Sequence, residues 1–168
     1  TQRANDFACR AILRTADNRL LVNGNPGSWE IKPDETIDNL SDFFTEIDKK
    51  KLLEARLAFW EDEDGLIWIT DEGTKLICIN LETKAYKIYG YPEGVVNKAM
   101  LHWDIHRDKN GRLWLGHLDG LSYLDEQTGM LKLFEGYNEF EELKKSSVYH
   151  FHENEEGIWL ASSSGLYL

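Results

Sequence analysis

The 168-residue sequence predicts an all-β chain built as a partial β-propeller, with about four blades that are each a four-stranded antiparallel meander. One phrase recurs at a fixed period: Asp64-Gly65-Leu66-Ile67-Trp68, Asn110-Gly111-Arg112-Leu113-Trp114 and Glu156-Gly157-Ile158-Trp159, with the tryptophans 46 and 45 residues apart. Each phrase is followed by a second glycine in apolar company: Gly73 before Leu76-Ile77, Gly120-Leu121-Ser122-Tyr123, and Gly165-Leu166-Tyr167-Leu168. A period of about 45 residues marks stacked structural repeats, and at this length the repeat unit is a propeller blade. Composition agrees, because six tryptophans and seven tyrosines in a chain that is 12% aromatic suit a pleated, half-buried surface.

The blades follow in order as units of residues 6–56, 57–98, 99–145 and 146–168, a single partial-propeller domain over 1–168. In the first unit Ala11-Ile12-Leu13 reads as a strand. Asp17 to Val22 forms the turn and return strand, because Leu21 lies 47 residues before Trp68, and Ser28 to Ile31 reads as the third strand. Residues 32–54 are polar and acidic but place Leu40, Phe43, Phe44 and Ile47 at helical spacing, which predicts a short helix or an irregular loop. The second unit gives Leu57 to Glu61, a turn at Asp62-Glu63-Asp64-Gly65, then Leu66 to Thr70, Lys75 to Asn80 and Ala85 to Tyr89. An Asp-Gly pair between apolar runs signals a hairpin, since the turn needs a positive φ that glycine adopts without strain. The third unit repeats the scheme over Trp103–His106, Arg112–Gly116, Leu121–Leu124 and Met130–Phe134, and the fourth supplies three strands from Val148 onward. The sequence lacks an initial methionine and stops within a repeat, so a piece of a longer protein is expected.

Charge excludes some partners. Thirty acids against nineteen bases give a net charge of −11, which disfavours nucleic acid and anionic membrane surfaces, both of which need a basic patch. The compact basic run Lys49-Lys50-Lys51 is flanked by Glu46, Asp48 and Glu54 and reads as solvated surface. Two cysteines, Cys9 and Cys78, fall at different positions of their repeats, so no bridge is expected. No apolar run approaches the roughly 20 residues needed to span a bilayer, and Thr1 to Asp6 is not a signal-peptide leader.

The repeated pattern of Asp, Asn or Glu, then Gly, then Trp-Ile or Trp-Leu, a short loop, Gly-Leu, and Asp-x-x-Thr-Gly resembles the two-component regulator propeller repeat. Asp108 to Phe134 carries it best, Glu61 to Tyr89 nearly as well, and Val148 to Leu168 carries its first half. The matching repeats cover roughly two-thirds of the chain, whereas residues 1–56 match poorly. The second unit departs from the pattern at Thr70 to Lys75, and the fourth at Ala161 to Gly165. The resemblance implies the periplasmic sensor region of a hybrid histidine kinase, a family whose members often respond to products of polysaccharide breakdown.

His102, Asp104 and His106 share one face of a strand, as do His150 and His152 one unit later. His106 and His152 occupy equivalent positions five residues before their turn glycines, so imidazoles of neighbouring blades could approach. They are the weak candidates for a metal site, and the expected answer is no metal and no cofactor, because a repeat position is not a ligand spacing. A sialidase-type Asp-box is disfavoured, since the residues two before the turn glycines are Glu63, Lys109 and Glu155. No nucleophile-elbow pattern surrounds Ser162-Ser163-Ser164, and no catalytic residue is assigned. Ligand recognition in loops points to Tyr91, His117, Asp119 and Tyr137, while Trp68, Trp114 and Trp159 are assigned to the core between blades.

The resulting expectation is a non-enzymatic, carbohydrate-responsive, periplasmic propeller segment of a two-component sensor. Expected partners are a small-molecule or oligosaccharide ligand, other propeller blades and a second copy in a homodimer, with no nucleic acid and no direct membrane contact. Two alternatives stand beside it: a propeller scaffold for protein interaction, and a propeller hydrolase or lyase acting on polysaccharide.

Overall fold

The computed structural model describes residues 8–25, 27–45, 56–71, 73–96, 100–138 and 140–168. Ile47 and the Lys49–Lys51 run lie outside them. Among the described residues, four sheets form in chain order, each an antiparallel meander whose neighbours in sequence are neighbours in space. The first blade contains β1 (Ala8–Arg14), β2 (Leu20–Asn25), β3 (Gly27–Ile31) and β4 (Ile37–Asn39). The second contains β5 (Arg56–Glu61), β6 (Ile67–Asp71), β7 (Lys75–Ile79) and β8 (Tyr86–Gly90). The third contains β9 (Asp104–Arg107), β10 (Leu113–His117), β11 (Gly120–Asp125) and β12 (Met130–Leu133). The fourth has β13 (Val148–Glu153), β14 (Ile158–Ser162) and β15 (Gly165–Tyr167). The all-β, blade-by-blade architecture expected from the sequence is therefore present.

Strand register turns the sequence repeat into structural equivalence. His106 lies opposite Trp114, and His152 lies opposite Trp159. Trp60 lies opposite Trp68, and Leu13 opposite Leu21. Leu21 thus takes the tryptophan's place in the first blade, as its 47-residue offset predicts. The first hairpins of the first three blades close alike. Gly65 and Gly111 adopt φ of 73° and 86°, and Asn18 takes the same left-handed place at 68° in the first blade. Asparagine tolerates that region because its side chain can bond the local backbone.

The chain divides into two compact units, Thr1–Glu72 with Leu76–Ile88, and Gly73–Lys75 with Tyr89–Leu168. In the first unit the core gathers Leu21, Ile67, Ile69, Ile77 and Ile79 around Leu40, Phe43 and Phe44. The last three come from the segment expected to be a helix or loop. It supplies a short 3-10 helix, Leu40–Phe43, capped by the Asn39 side chain accepting from Ser41 N at 2.9 Å, and before it the unexpected fourth strand β4. One tight turn suffices to bury Leu40 and Phe43, and Phe44 then meets Tyr86 edge-on at 4.9 Å.

In the second unit Leu121, Tyr137, Leu143, Val148 and Phe151 form the core between the third and fourth blades. Leu143 arrives on a second 3-10 segment, Glu141–Lys145. The two sheets approach so closely at Gly116 that a Cβ there would lie 2.7 Å from the Val148 carbonyl oxygen. Trp68 is buried, whereas Trp114 and Trp159 are half-buried; Trp114 packs edge-on against Phe134 at 5.3 Å. Cys9 and Cys78 are not joined in a disulfide.

Candidate functional site

Three loops of the second unit converge at one end of the third blade: the segment entering β9, the β10–β11 turn and the segment leaving β12. Backbone bonds hold them together. Leu118 N donates to Met100 O at 2.9 Å, and Phe134 N donates to Leu121 O at 2.9 Å. The Ser147 hydroxyl donates to Leu118 O at 3.2 Å. Between them lies an open groove of about 220 Å³. Val95, Val96, Met100, Leu121 and Leu133 give it an apolar floor, Phe134 and Tyr137 add rings, and Asp119, Glu135 and Lys144 supply charge.

Two of the four sequence candidates, Asp119 and Tyr137, line this groove. Tyr137 presents little of itself: it is buried, and its hydroxyl accepts from Leu121 N at 2.8 Å. Tyr91 and His117 are not groove-lining residues. The Tyr91 hydroxyl lies 2.9 Å from His102 Nε2 and 2.6 Å from Ser122 Oγ. His102 and His117 are fully buried with their rings edge-to-face at 5.7 Å, and His117 Nδ1 accepts from Asp119 N at 3.2 Å. Tyr91 and His117, expected in exposed loops, thus form the closed polar support of the site rather than its surface. The reason is that the incoming segment folds back over β10 and β11, a placement that sequence distance does not reveal.

His102 and Tyr91 are held as neutral groups. Burial, with His117 alongside, pulls the His102 imidazole down to about 3. Burial likewise pushes the Tyr91 phenol well above its ordinary range, against the opposing hydrogen bond with Ser122. Neither is poised to exchange a proton near neutral pH. His102 and Ser122 escaped the sequence reading of this site. His102 had a signal, its alternation with Asp104 and His106, but nothing in the sequence tied it to Tyr91.

The weak metal candidates part company. His106 Nε2 lies 3.1 Å from Glu153 Oε2, and the ring stacks on Phe151 at 5.7 Å. His152 is exposed. Where imidazoles of adjacent first strands were expected to approach each other, imidazoles meet carboxylates: His150 Nδ1 lies 2.7 Å from Asp104 Oδ2. The arrangement is reciprocal. Asp104 Oδ2 also accepts from Phe151 N at 2.9 Å, and Glu153 Oε2 accepts from Lys109 N at 3.1 Å. Among the described residues no group of three or more His, Cys, Asp or Glu side chains could hold a metal ion.

With the fold and this geometry in place, the class of protein is defined as a β-propeller type. Solved structures similar to the chain are of that type. The extracellular domain of a hybrid two-component system from B. thetaiotaomicron superposes with a TM-score of 0.70 at 15% identity, over 94% of this chain and 20% of that chain. A second such domain from the same organism gives 0.68 at 19% identity, over 94% and 21%. Virginiamycin B lyase from Staphylococcus aureus gives 0.67 at 16% identity, over 99% and 57%. The chain thus spans about a fifth of the length of the sensor domains it resembles. No family model matches the sequence, and no curated protein matches it.

Proposed function

We propose that this chain is a ligand-sensing propeller segment of an extracytoplasmic two-component sensor, and that it recognises an oligosaccharide at the groove of the third blade. The observation that carries the reading is the groove itself. It joins the half-buried ring of Phe134 to the charged groups Asp119, Glu135 and Lys144 at a convergence of loops, the mixture a sugar site requires. Likeness of fold to sensor extracellular domains supports the setting. The neutral, enclosed state of His102 and Tyr91 favours binding over proton-transfer chemistry. Binding at the groove alters how its three loops sit, and the sensor reads that change.

The test is a thermal-shift and calorimetric screen with a panel of oligosaccharides on the wild-type chain and on Phe134→Ala and Asp119→Asn. A stabilising glycan whose effect falls at least tenfold in affinity in both variants is the expected result. Absence of any glycan effect would sink the carbohydrate reading. Turnover of a glycan would sink the non-enzymatic one.

A further inference from the structure

The groove of the third blade offers a sugar more aliphatic surface than bare hydroxyls can use. Val95 and Leu133 line it and are 47% and 36% exposed, beside the buried Met100 and Leu121. The Phe134 ring is braced edge-on against both Trp114, at 5.3 Å, and Tyr137, at 5.0 Å, so it is a fixed part of the lining. A hydroxyl laid on aliphatic carbon gives up its bonds to water and gains none in return. Whatever part of a ligand settles on Val95 and Leu133 must therefore be apolar itself.

The polar groups are few and charged. Among the described lining residues they are Asp119, Glu135, Lys144 and the Tyr137 hydroxyl, and the last is already bonded to Leu121 N. Asp119 is fixed in place through its own N–H, which donates to His117 Nδ1 at 3.2 Å. Glu135, just beyond β12, and Lys144, on the second 3-10 segment, are both exposed. Two carboxylates thus accept and one ammonium donates, which leaves an excess of negative charge in a chain whose net charge is −11. A uronate or a sulfated sugar would enter against that field.

An acetamido substituent answers both observations. Its methyl suits the aliphatic side chains, its N–H donates to a carboxylate, and its carbonyl oxygen accepts from an ammonium. The methyl of a deoxy sugar would use the aliphatic surface but give Lys144 and the carboxylates nothing. A free amino sugar would serve the carboxylates, yet leave the aliphatic surface bare and set a cation beside Lys144.

We propose that the groove recognises an N-acetylated saccharide. Val95 and Leu133 receive the acetamido methyl, Asp119 or Glu135 accepts from its N–H, and Lys144 donates to its carbonyl oxygen. The assignment rests on the carbohydrate reading of this groove and names the class of sugar that it takes.

The experiment is isothermal calorimetry on the 168-residue chain with four β-1,4-linked trisaccharides of one backbone: those of N-acetylglucosamine, glucosamine, glucose and glucuronate. The N-acetylated trimer is expected to bind at least about tenfold more tightly than the glucose trimer, and glucuronate most weakly. Val95→Ser and Lys144→Gln, both at exposed positions, are expected to weaken the N-acetylated trimer at least about threefold and to leave the weaker glucose affinity unchanged, with circular dichroism to verify folding. Equal or tighter binding of the glucose or glucosamine trimer would overturn the acetamido assignment and leave the carbohydrate reading standing. Equal losses for the N-acetylated and glucose trimers in both variants would overturn it in the same way. Binding of none of the four overturns it too, and the wider oligosaccharide panel then decides the carbohydrate reading separately.

Discussion

The indole Nε1 of Trp114 donates to Oδ2 of Asp108 at 2.8 Å, while Oδ1 of the same carboxylate accepts from Asn110 N and Arg112 N, each at 2.9 Å. The second blade repeats the device: Trp68 donates to Asp62 at 2.8 Å, and Asp62 accepts from Asp64 N and Leu66 N. One carboxylate thus closes the hairpin turn and fixes the tryptophan that opens the returning strand. It stands three residues before the turn glycine, one position earlier than an Asp-box reading examines. In the fourth blade Asn154 keeps the turn bond, accepting from Glu156 N at 2.9 Å.

Replacing Asp108 by Ala should cost about 2–3 kcal/mol, because it removes charge-assisted bonds and leaves the indole and turn N–H groups without their acceptor. Asp108→Asn should cost less, since it can still serve the turn as Asn154 does. Urea unfolding followed by tryptophan fluorescence measures both. Equal losses for the two variants would show that the charge, rather than the turn geometry, carries the effect.

Acid should weaken the second unit in two separable steps. His102 has a folded-state value depressed by burial to about 3, below its ordinary 6.5, so the unfolded chain binds the proton first. Its contribution is complete above about pH 6.5 and is lost as pH falls toward 3, with a slope approaching about 1.4 kcal/mol per pH unit. Asp108 is opposed by burial but held below the usual carboxylate range by the Trp114 indole and the Arg112 and Asn110 backbone bonds, so its contribution is lost only below about pH 4. Stability measured from pH 7 to 4.5 should fall in the wild type and fall less steeply in His102→Gln.

Gly120 has φ of 104°, and a Cβ there would collide with the Tyr137 hydroxyl oxygen. Gly120→Ala should cost about 2–4 kcal/mol from left-handed strain plus overpacking. Tyr137→Phe should cost about 1–2 kcal/mol by orphaning Leu121 N. In the double variant the clash with the hydroxyl disappears, so the combined loss should be smaller than the sum. Strict additivity in a double-mutant cycle would contradict this geometry.

Asp104 and Glu153 are the acceptors that tie the third blade to the fourth, each serving an imidazole and a backbone N–H of the other sheet. Glu153→Ala should destabilise by about 1–3 kcal/mol, and the loss should shrink when His106 is already Phe. Chemical unfolding of the two single variants and the double variant gives the coupling directly.

The sequence alone determined the period, the strands and the hairpin turns. Gly65 and Gly111 stand between apolar runs, and such turns are decided by a few adjacent residues through φ preference and alternation. It also placed Leu21 in register with the tryptophans. It did not show that Ile37–Asn39 completes the first blade, because that strand is short and its pairing with Ile31 depends on the sheet already being there. Of the four loop residues it singled out for recognition, two line the groove and two do not. Asp119 and Tyr137 line the groove, whereas Tyr91 and His117 turn inward to meet Ser122, His102 and the Asp119 backbone. The pairing of Asp104 with His150 and of His106 with Glu153 was likewise decided only in three dimensions. Local preference and periodicity act over a handful of residues and survive translation into sequence. Burial and partner choice arise when segments 11 to 47 residues apart pack together, and only the tertiary structure brings those segments into contact.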